Sequence, residues 1–284
     1  MRGWRTPRAE FIPGAIGYAA PGGESCFNVA IRTVELNGGR GVLGSGCGIV
    51  ADSKGGEEYA ECRLKTRFLT GLEKGGDEFR LIETMLCEDN RIALLEYHLD
   101  RLRDSARYFD RPFDRGRVRQ AVEHEIAGGA GRRKVRLLLD RLGELTVASE
   151  PVEPVAGPVR VAFWPEPVDS GGVFYRHKTT RRELYDRAWK IARKKGLFDC
   201  LFVNERGEVT EGAITNVYAQ RGGVLCTPPL RAGVLPGVYR RYLKARGRQP
   251  VRDKVLTRSD LAGADRLWVS NAVAGLVEAV YVDR

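Results

Sequence analysis

A proline-rich stretch near the middle of the chain limits how the sequence can fold. Three prolines occur within the nine residues 150–158. Proline fixes φ and has no backbone N–H, so this stretch suits neither a helix nor a central strand. We therefore predict an interdomain linker over 150–159, which separates a small domain at 71–149 from a larger domain at 160–284. Residues 1–70 form a further N-terminal segment.

The residues before the linker alternate strand-like and helical patterns. Residues 26–36 form a β-type run that stops at the Asn37-Gly38-Gly39 turn signal, and a helical stretch follows over about 56–69. Residues 79–86 form another strand-like run, which turns at Glu88-Asp89-Asn90. Next comes a long amphipathic helix, whose apolar face consists of Leu94, Leu95, Leu99, Leu102 and Ala106.

Beyond the linker, the chain alternates strands and helices in the manner of an α/β domain. Short strands are expected over 200–204, 214–219 and 223–227, because glycine-containing turns separate these runs. One predicted helix ends at Gly196, a residue type that favours the position just after a helix. Its apolar face consists of Leu184, Ala188, Ile191 and Ala192.

The charge balance restricts the partners of the protein. Its 47 Lys and Arg residues exceed its 37 Asp and Glu residues, which gives a formal net charge of +10. A basic surplus suits nucleic acid, but here the cations are interleaved with acids and form no long basic tract. Arginine is equally the preferred partner of small carboxylates and phosphates. We therefore predict acidic small-molecule ligands and no nucleic-acid partner.

Two further compositional features indicate a cellular location. No apolar run approaches the length of about eighteen residues that a membrane helix needs, so no membrane association is expected. The six cysteines include no CxxC pair and there are only three histidines, which argues against a zinc site. Cysteines in apolar runs, such as Cys200, are predicted to be reduced core thiols. We expect a cytoplasmic protein without a bound metal.

Lys178 is the first candidate for a reactive residue. Thr180 and Glu183 match the spacing of a capping box, which would place Lys178 just ahead of a helix. The positive end of a helix dipole lowers the pKa of a lysine and favours the free amine that nucleophilic chemistry requires. The alternative for this local pattern is a solvated lysine in a loop.

Glu211 is the second candidate. It is expected at a strand–turn–strand corner, where Gly212 would allow close approach of the backbone to a ligand. A carboxylate at that place could pair with a protonated ring nitrogen. The alternative is an exposed acid in a turn.

Two segments could bind an anion. Pro236 suits the first turn of a helix, so the amides around Gly237, Val238 and Tyr239 would form an anion site at its N-terminus. The alternative is a plain proline-initiated helix. Arg101, at the edge of the apolar face of its helix, could reach a buried phosphate. The alternative is an arginine that extends along the rim of the core.

In this order and at these spacings, the candidates resemble a known family. From about Phe79 to the C-terminus, the chain resembles the class IV pyridoxal-phosphate enzymes of fold type IV. That group includes branched-chain and D-amino-acid aminotransferases and 4-amino-4-deoxychorismate lyase. Its interval between lysine and glutamate is typically the 33 residues found here. The matching pieces are Glu83-Thr-Met, His98-Leu-Asp-Arg101-Leu, His177-Lys178-Thr-Thr, Thr210-Glu211-Gly-Ala-Ile-Thr-Asn216, Thr227-Pro-Pro, Gly233-Val-Leu-Pro-Gly237 and Ser270-Asn271-Ala.

The resemblance implies an α/β (α+β) fold, with two α/β domains that bind pyridoxal 5'-phosphate (PLP). It implies that Lys178 is the catalytic residue and holds the cofactor covalently, and that Glu211 pairs with the pyridine nitrogen. Arg101 and the amides of Val238 and Tyr239, next to Gly237, are implied to hold the phosphate. A homodimer is expected from the same resemblance.

Two positions depart from the usual pattern of the family. Tyr239 stands where a threonine is common, and Ala272 stands where a hydroxyl residue is frequent. Each change could remove a side-chain hydrogen bond to the cofactor phosphate. The backbone contacts are therefore expected to contribute more than these side chains.

The first seventy residues resemble the C-terminal end of the chorismate-utilising enzymes. The matching pieces are Pro13-Gly-Ala-Ile-Gly-Tyr18, Phe27-Asn-Val-Ala-Ile-Arg32-Thr33, Gly46-Cys-Gly-Ile-Val-Ala-Asp-Ser53 and Glu58-Tyr-Ala-Glu61-Cys-Arg-Leu-Lys65. In that family the arginine binds a chorismate carboxylate, and two such glutamates help to hold magnesium. Only the tail of that domain is matched. We predict a partial, β-rich remnant that caps the downstream enzyme and binds no ligand.

A chorismate-enzyme tail ahead of a class IV enzyme is the arrangement of bifunctional p-aminobenzoate synthases. The expected reaction is the conversion of aminodeoxychorismate to p-aminobenzoate and pyruvate, a lyase step of folate biosynthesis. Arg136 is one arginine that could bind the substrate carboxylates. One alternative is a class IV aminotransferase acting on branched-chain or D-amino acids. The other is a non-catalytic partial fusion that binds a partner.

Overall fold

The chain folds as two units, residues 1–76 and residues 77–284. The computed structural model describes residues 15–29, 34–37, 40–45, 53–59, 61–62, 65 and 79–282. Within these residues, no helix has both the length and the apolar character that crossing a membrane requires.

The first unit contains two β-hairpins and a helix. Strand β1 (Ala15–Ala19) pairs antiparallel with β2 (Ser25–Val29), and β3 (Val34–Asn37) pairs antiparallel with β4 (Arg40–Leu43). Asn37 lies opposite Arg40, which confirms the predicted hairpin. Helix α1 follows, with helical residues described at 55–59, 61–62 and 65.

Some sequence predictions for this unit can be compared with the structure. The run predicted over 26–36 is interrupted, because its described residues belong to the two strands β2 and β3. Glu58 and Glu61 lie on α1, where the Glu61 carboxylate pairs with Lys65 Nζ at 2.7 Å. Arg32 lies outside the described residues.

The second unit begins with a three-stranded antiparallel sheet. Its order is β5 (Leu81–Glu88), β6 (Arg132–Leu139) and β7 (Leu145–Pro151). Helices α2 (Leu95–Tyr108) and α3 (Arg115–Ile126) connect β5 to β6. Alternate residues of the strands point into one core with the apolar faces of both helices. This core includes Leu81, Met85, Leu99, Leu102, Val118, Val122, Val135, Leu137 and Leu139.

An eight-stranded mixed sheet forms the rest of the second unit. Its spatial order is β10-β9-β8-β15-β14-β11-β12-β13. The strands are β8 (Val159–Phe163), β9 (Asp199–Val203), β10 (Val209–Gly212), β11 (Asn216–Arg221), β12 (Val224–Thr227), β13 (Val251–Asp253), β14 (Arg266–Asn271) and β15 (Gly275–Tyr281). The helices are α4 (Val173–Arg176), α5 (Glu183–Lys194), α6 (Val238–Arg246) and α7 (Arg258–Ala262).

Most predicted elements of this unit are present, with local differences. The predicted turn after β5 is confirmed by positive φ at Asp89 and Asn90. Helix α5 ends at Lys194 and its C-cap is Lys195. Gly196 follows with φ +69°, so the glycine lies just after the helix, as predicted. Strand β10 was not predicted. The predicted apolar face of α5 is wrong at one position, because Ile191 is 37% exposed and Tyr185, which was not predicted, is buried instead.

The proline-rich stretch begins inside a strand. Glu150 and Pro151 close β7, which is an edge strand of the three-stranded sheet. An edge strand tolerates proline because one side of its backbone needs no ladder partner. Strand β8 then starts at Val159. The domain boundaries proposed around 150–159 stay a prediction.

The cysteines differ in their environment. Cys87 and Cys200 are buried, as expected for core thiols, and burial raises the pKa of the Cys200 thiol to about 11. Cys26 is exposed, so it is no core thiol. Cys47 lies outside the described residues.

The end of β6 provides a matched test of the small core. Leu139 is 1% exposed, whereas Leu142, three residues later, is 71% exposed. Leu139→Ala should lower the free energy of unfolding by about 2–5 kcal/mol, because it removes buried methyl groups and leaves a cavity. Leu142→Ala should change it by no more than about 0.5 kcal/mol. Urea denaturation measures both, and equal effects would contradict this account of the core.

Candidate active site

A cavity of about 340 Å³ lies where residues of the two sheets of the second unit meet. The three-stranded sheet contributes Ile82, Thr84 and Arg136 to its wall. All seven residues predicted from the sequence also line this cavity: Arg101, Lys178, Glu211, Gly237, Val238, Tyr239 and Ala272. The structure therefore brings together residues that are far apart in the sequence.

Backbone hydrogen bonds fix the segment that carries Lys178. The amide of Ile82 donates to the carbonyl of Lys178 at 2.9 Å, and the amide of Thr180 donates to the carbonyl of Arg80 at 2.8 Å. The preceding residue, His177, has its Nδ1 3.0 Å from Ser105 Oγ on α2. Lys178 is thus held beside the first residues of β5 and is no freely solvated loop lysine.

The position of Lys178 relative to the helix differs from the prediction. Helix α5 begins at Glu183, its N-cap is Arg182, and no side chain caps it. The predicted capping box is therefore wrong. Thr180 instead uses its Oγ1 to accept a hydrogen bond from the amide of Arg80 at 2.8 Å.

The Lys178 amine is nevertheless shifted in the predicted direction. Burial lowers its pKa from 10.5 to about 7, and the positive charges of Arg182 and Arg101 add to this effect. A buried ammonium loses its hydration, so the neutral amine is favoured. The cause is thus mainly desolvation, rather than the helix end that the sequence suggested.

Glu211 is buried at the end of β10, with 3% of its surface exposed, so it is no exposed turn acid. Its Oε1 accepts from the Tyr185 hydroxyl at 3.3 Å. Its Oε2 accepts from the amide of Leu235 at 3.1 Å and from Asn216 Nδ2 at 3.3 Å. Burial raises the pKa of Glu211 to about 8. Among the described residues, no cation forms an ion pair with this carboxyl group.

The turn after Glu211 is organised by a buried acid that the sequence analysis missed. Asp199 is fully buried at the start of β9, and burial raises its pKa to about 6. Its Oδ2 accepts from Thr215 Oγ1 at 2.7 Å and from the amide of Ile214 at 3.1 Å. A Cβ atom at Gly212 would overlap Asp199 and Thr215. Gly212 therefore leaves room for the Asp199 side chain. Gly212 also lines the cavity, so the expected close approach of a ligand to its backbone stays a prediction.

The start of helix α6, which also lines the cavity, is suited to an anion. Helix α6 starts at Val238 after the N-cap Gly237, and no side chain caps its first amides. The first amides of a helix lack intrahelical acceptors and lie at the positive end of the dipole. Arg101 extends from α2 to this end, where its Nη1 donates to the carbonyl of Pro236 at 3.3 Å. A Cβ at Gly237 would overlap Asn216 Oδ1.

Ala272 lies in the hairpin loop between β14 and β15. The amides of Val273 and Ala274 donate to Asn271 Oδ1 at 2.9 and 2.8 Å, which fixes this loop at the cavity. The methyl group of Ala272 offers no hydrogen bond. The expectation that backbone groups contribute more than side chains to anion binding stays a prediction.

Three further cations line the cavity: Lys134, Arg136 and Arg182. Lys134 pairs with Glu150, and Arg182 donates to the carbonyl of Ala213 at 2.7 Å. Within the described part of the chain, the Arg136 side chain has neither a hydrogen bond nor an ion pair. Arg182 and Tyr185 were not predicted as site residues, since they come together with Glu211 only through the packing of α5 on the sheet.

These groups fit PLP. Lys178 supplies a partly buried amine of lowered pKa for the aldehyde carbon of the cofactor. Glu211 supplies a buried carboxyl group, without an ion partner among the described residues, for its ring nitrogen. Arg101 and the start of α6 supply cationic and amide donors for its phosphate. The fold and the cavity thus define a PLP-dependent enzyme whose site is lined by residues of both sheets.

Comparison with known proteins identifies the family. The chain belongs to the amino-transferase class IV family, whose model matches residues 80–280, and this family is PLP-dependent. The predicted fold type and cofactor are therefore confirmed. Residues 11–71 match the model of the chorismate binding enzymes, as the sequence suggested.

Individual relatives share most of the second unit. A Schizosaccharomyces pombe protein named "Putative aminodeoxychorismate lyase" is 27% identical over 216 residues, which cover 72% of this chain and 91% of that protein. A structure titled "Putative amino-acid aminotransferase", from Mesorhizobium loti, has a TM-score of 0.68 at 35% identity. The match covers 72% of this chain and 100% of the M. loti chain. A PLP-bound "hypothetical aminotransferase" from Mycobacterium tuberculosis has a TM-score of 0.64 at 26% identity, with 72% and 81% covered.

The low pKa of Lys178 predicts how its reaction with PLP depends on pH. The free amine fraction should be about one half near pH 7 and should level off above about pH 8, whereas an ordinary lysine, with a pKa of 10.5, would continue to gain free amine. Stopped-flow absorbance of the apoprotein mixed with PLP measures this rate. Lys178→Ala should abolish the signal, and Lys190→Ala, on the exposed side of α5, should not. A rate that still rises steeply between about pH 8 and 10 would contradict the prediction.

Proposed function

We propose that this protein is a PLP-dependent lyase that converts 4-amino-4-deoxychorismate to p-aminobenzoate and pyruvate in folate biosynthesis. The observation that carries the proposal is the union of two matches in one chain, chorismate binding enzyme at 11–71 and amino-transferase class IV at 80–280. The substrate is an amino derivative of chorismate, so the two matches concern related molecules. The name of the S. pombe relative supports the same reaction.

The charges of the cavity support a substrate with two carboxylates. 4-Amino-4-deoxychorismate carries one carboxylate on its ring and another on its enolpyruvyl group. Lys134, Arg136 and Arg182 line the same cavity as Lys178. Arg136 suits this role best, since its guanidinium has no partner among the described residues and can form two parallel hydrogen bonds to a carboxylate.

The residues of the chain have separate tasks in this reaction. When bound, PLP acts as an electron sink for the carbon that carries the substrate amine. Lys178 Nζ, uncharged above pH 7, takes the proton from that carbon. The bond from the adjacent carbon to the enolpyruvyl oxygen then breaks, and the ring becomes aromatic. Lys178 returns the proton to the departing enolpyruvate, which becomes pyruvate.

An aminotransferase is the second candidate. The M. loti structure is titled an aminotransferase, and its whole chain matches 72% of this chain at 35% identity. Such an enzyme would use the same cofactor contacts and differ in how it binds the rest of the substrate. The proposal further includes a homodimer, expected from the family resemblance, and a small-molecule substrate and a cytoplasmic location, expected from the charge and composition of the sequence.

A direct assay separates the two candidates. The PLP-loaded protein, incubated with 4-amino-4-deoxychorismate, should release p-aminobenzoate and pyruvate in equal amounts, because the elimination forms both from one molecule. Chromatography of p-aminobenzoate and coupled reduction of pyruvate measure the products, with Lys178→Ala as the inactive control. Amino-group transfer from branched-chain or D-amino acids to 2-oxoglutarate, without p-aminobenzoate, would favour the aminotransferase. A protein inactive in both assays would favour the non-catalytic fusion.

Arg136→Gln tests the carboxylate site. Loss of its guanidinium should raise KM for aminodeoxychorismate about tenfold with little change in kcat, because the contact is made equally in the bound and the reacting substrate. Arg193→Gln, an exposed position on α5, is the matched control and should leave KM unchanged. Steady-state kinetics measure both constants. An unchanged KM in Arg136→Gln would remove Arg136 from the substrate site.

A further inference from the structure

A buried glutamate lies directly behind Arg101. Glu83, on β5, is 2% exposed and faces helix α2. Arg101 Nε donates to Glu83 Oε1 at 2.9 Å, and Arg101 Nη2 donates to Glu83 Oε2 at 2.6 Å. His98 Nδ1 lies 2.6 Å from the same Oε2. One carboxylate thus binds two side chains from successive turns of α2.

The contact with Glu83 fixes the plane of the Arg101 guanidinium. Two parallel hydrogen bonds to both oxygens of a carboxylate leave this planar group little freedom to rotate. The remaining nitrogen, Nη1, donates to the carbonyl of Pro236, the residue before the N-cap of α6. Arg101 is therefore held from one side by Glu83 and directed on the other side towards the start of α6.

The packing of two helices supports this arrangement. Asp100 on α2 pairs with Arg241 on α6 at 3.2 Å. The guanidinium of Arg241 also lies over the ring of Tyr97, 5.0 Å from its centre, and Tyr97 packs edge-on against Tyr242. These contacts set the position of α2 along α6, so that Arg101 reaches the residue that precedes the N-cap of α6.

The charges of the cluster are consistent with a permanently ionised glutamate. Burial raises the pKa of Glu83, but the adjacent Arg101 and His98 outweigh burial and hold this pKa at about 2. Burial lowers the pKa of His98, so its ring is neutral and Nδ1–H donates to the carboxylate. The negative charge of Glu83 compensates the positive charge of Arg101, whose side chain is only 10% exposed.

We propose that Glu83 is a positioning residue for the cofactor phosphate, which acts by fixing the Arg101 guanidinium at the N-terminal end of α6, with His98 holding the carboxylate in place. The inference rests on PLP as the cofactor and on Arg101 as a phosphate ligand. It applies equally to a lyase and to an aminotransferase, so it goes beyond the function proposed above.

The test compares two cofactors in the same protein. Pyridoxal has the aldehyde of PLP but no phosphate, so its binding depends on Lys178 and not on Arg101. Glu83→Gln keeps the side-chain shape and removes the charge and one acceptor oxygen. It should weaken PLP binding about tenfold, the effect of losing one hydrogen bond to a charged group. Pyridoxal binding should stay within about twofold of the unmodified protein. Absorbance titration of the apoprotein measures both dissociation constants.

Two further variants separate positioning from general packing. Arg101→Gln should weaken PLP binding selectively, and Glu83→Gln should add nothing to it in the double variant, because both changes remove the same contact. Glu88→Gln is the matched control, since Glu88 ends the same strand, is exposed and pairs only with Arg132 among the described residues. It should leave both dissociation constants unchanged.

Each other outcome has a defined meaning. Equal losses of PLP and pyridoxal binding in Glu83→Gln, or additive losses in the double variant, would overturn the positioning role. If Arg101→Gln binds PLP normally, Arg101 is no phosphate ligand and the inference fails with it, while the lyase assay is unaffected. If Glu83→Gln does not fold, Glu83→Asp keeps the charge and shortens the side chain. It should show the same selective loss for PLP.

Discussion

The site depends on the backbone pairing between residues 178–180 and the start of β5. Two hydrogen bonds, from Ile82 to Lys178 and from Thr180 to Arg80, join a segment of the larger sheet region to the three-stranded sheet. This pairing fixes the backbone of Lys178 at the wall of the cavity that Arg101 and Glu211 also line. The low pKa of the Lys178 amine comes mainly from desolvation at this place, so it is a consequence of how the two sheets meet.

The surroundings of three buried carboxyl groups show how position decides charge. Glu83 contacts Arg101 and His98 and keeps a pKa of about 2. Glu211 receives only neutral donors, and burial raises its pKa to about 8. The pKa of Asp199 is intermediate, at about 6, because hydroxyl and amide donors partly offset the effect of its burial. Buried carboxyl groups thus hold an arginine at Glu83, line the cavity at Glu211 and fix a turn at Asp199.

Much of this architecture could be predicted from local patterns. The turn at Asp89, the glycine after α5 and the strand carrying Leu201 follow from residue types whose backbone preferences dominate. Other predictions failed where tertiary contacts compete with local ones. Thr180 matches a capping box in sequence, yet its hydroxyl binds the amide of Arg80. Ile191 fits an apolar helical face, yet Tyr185 is the residue that packs under the sheet.

The sequence by itself determined the order and spacing of the reactive residues, which were sufficient to indicate the family and its cofactor. It did not determine why the pKa of Lys178 is low, that Glu211 is buried, or that Glu83 contacts Arg101 and Asp199 fixes the turn after Glu211. These properties arise from contacts between residues that are distant along the chain. Desolvation and ion pairing depend on the surrounding atoms in three dimensions, so only the tertiary structure decided them.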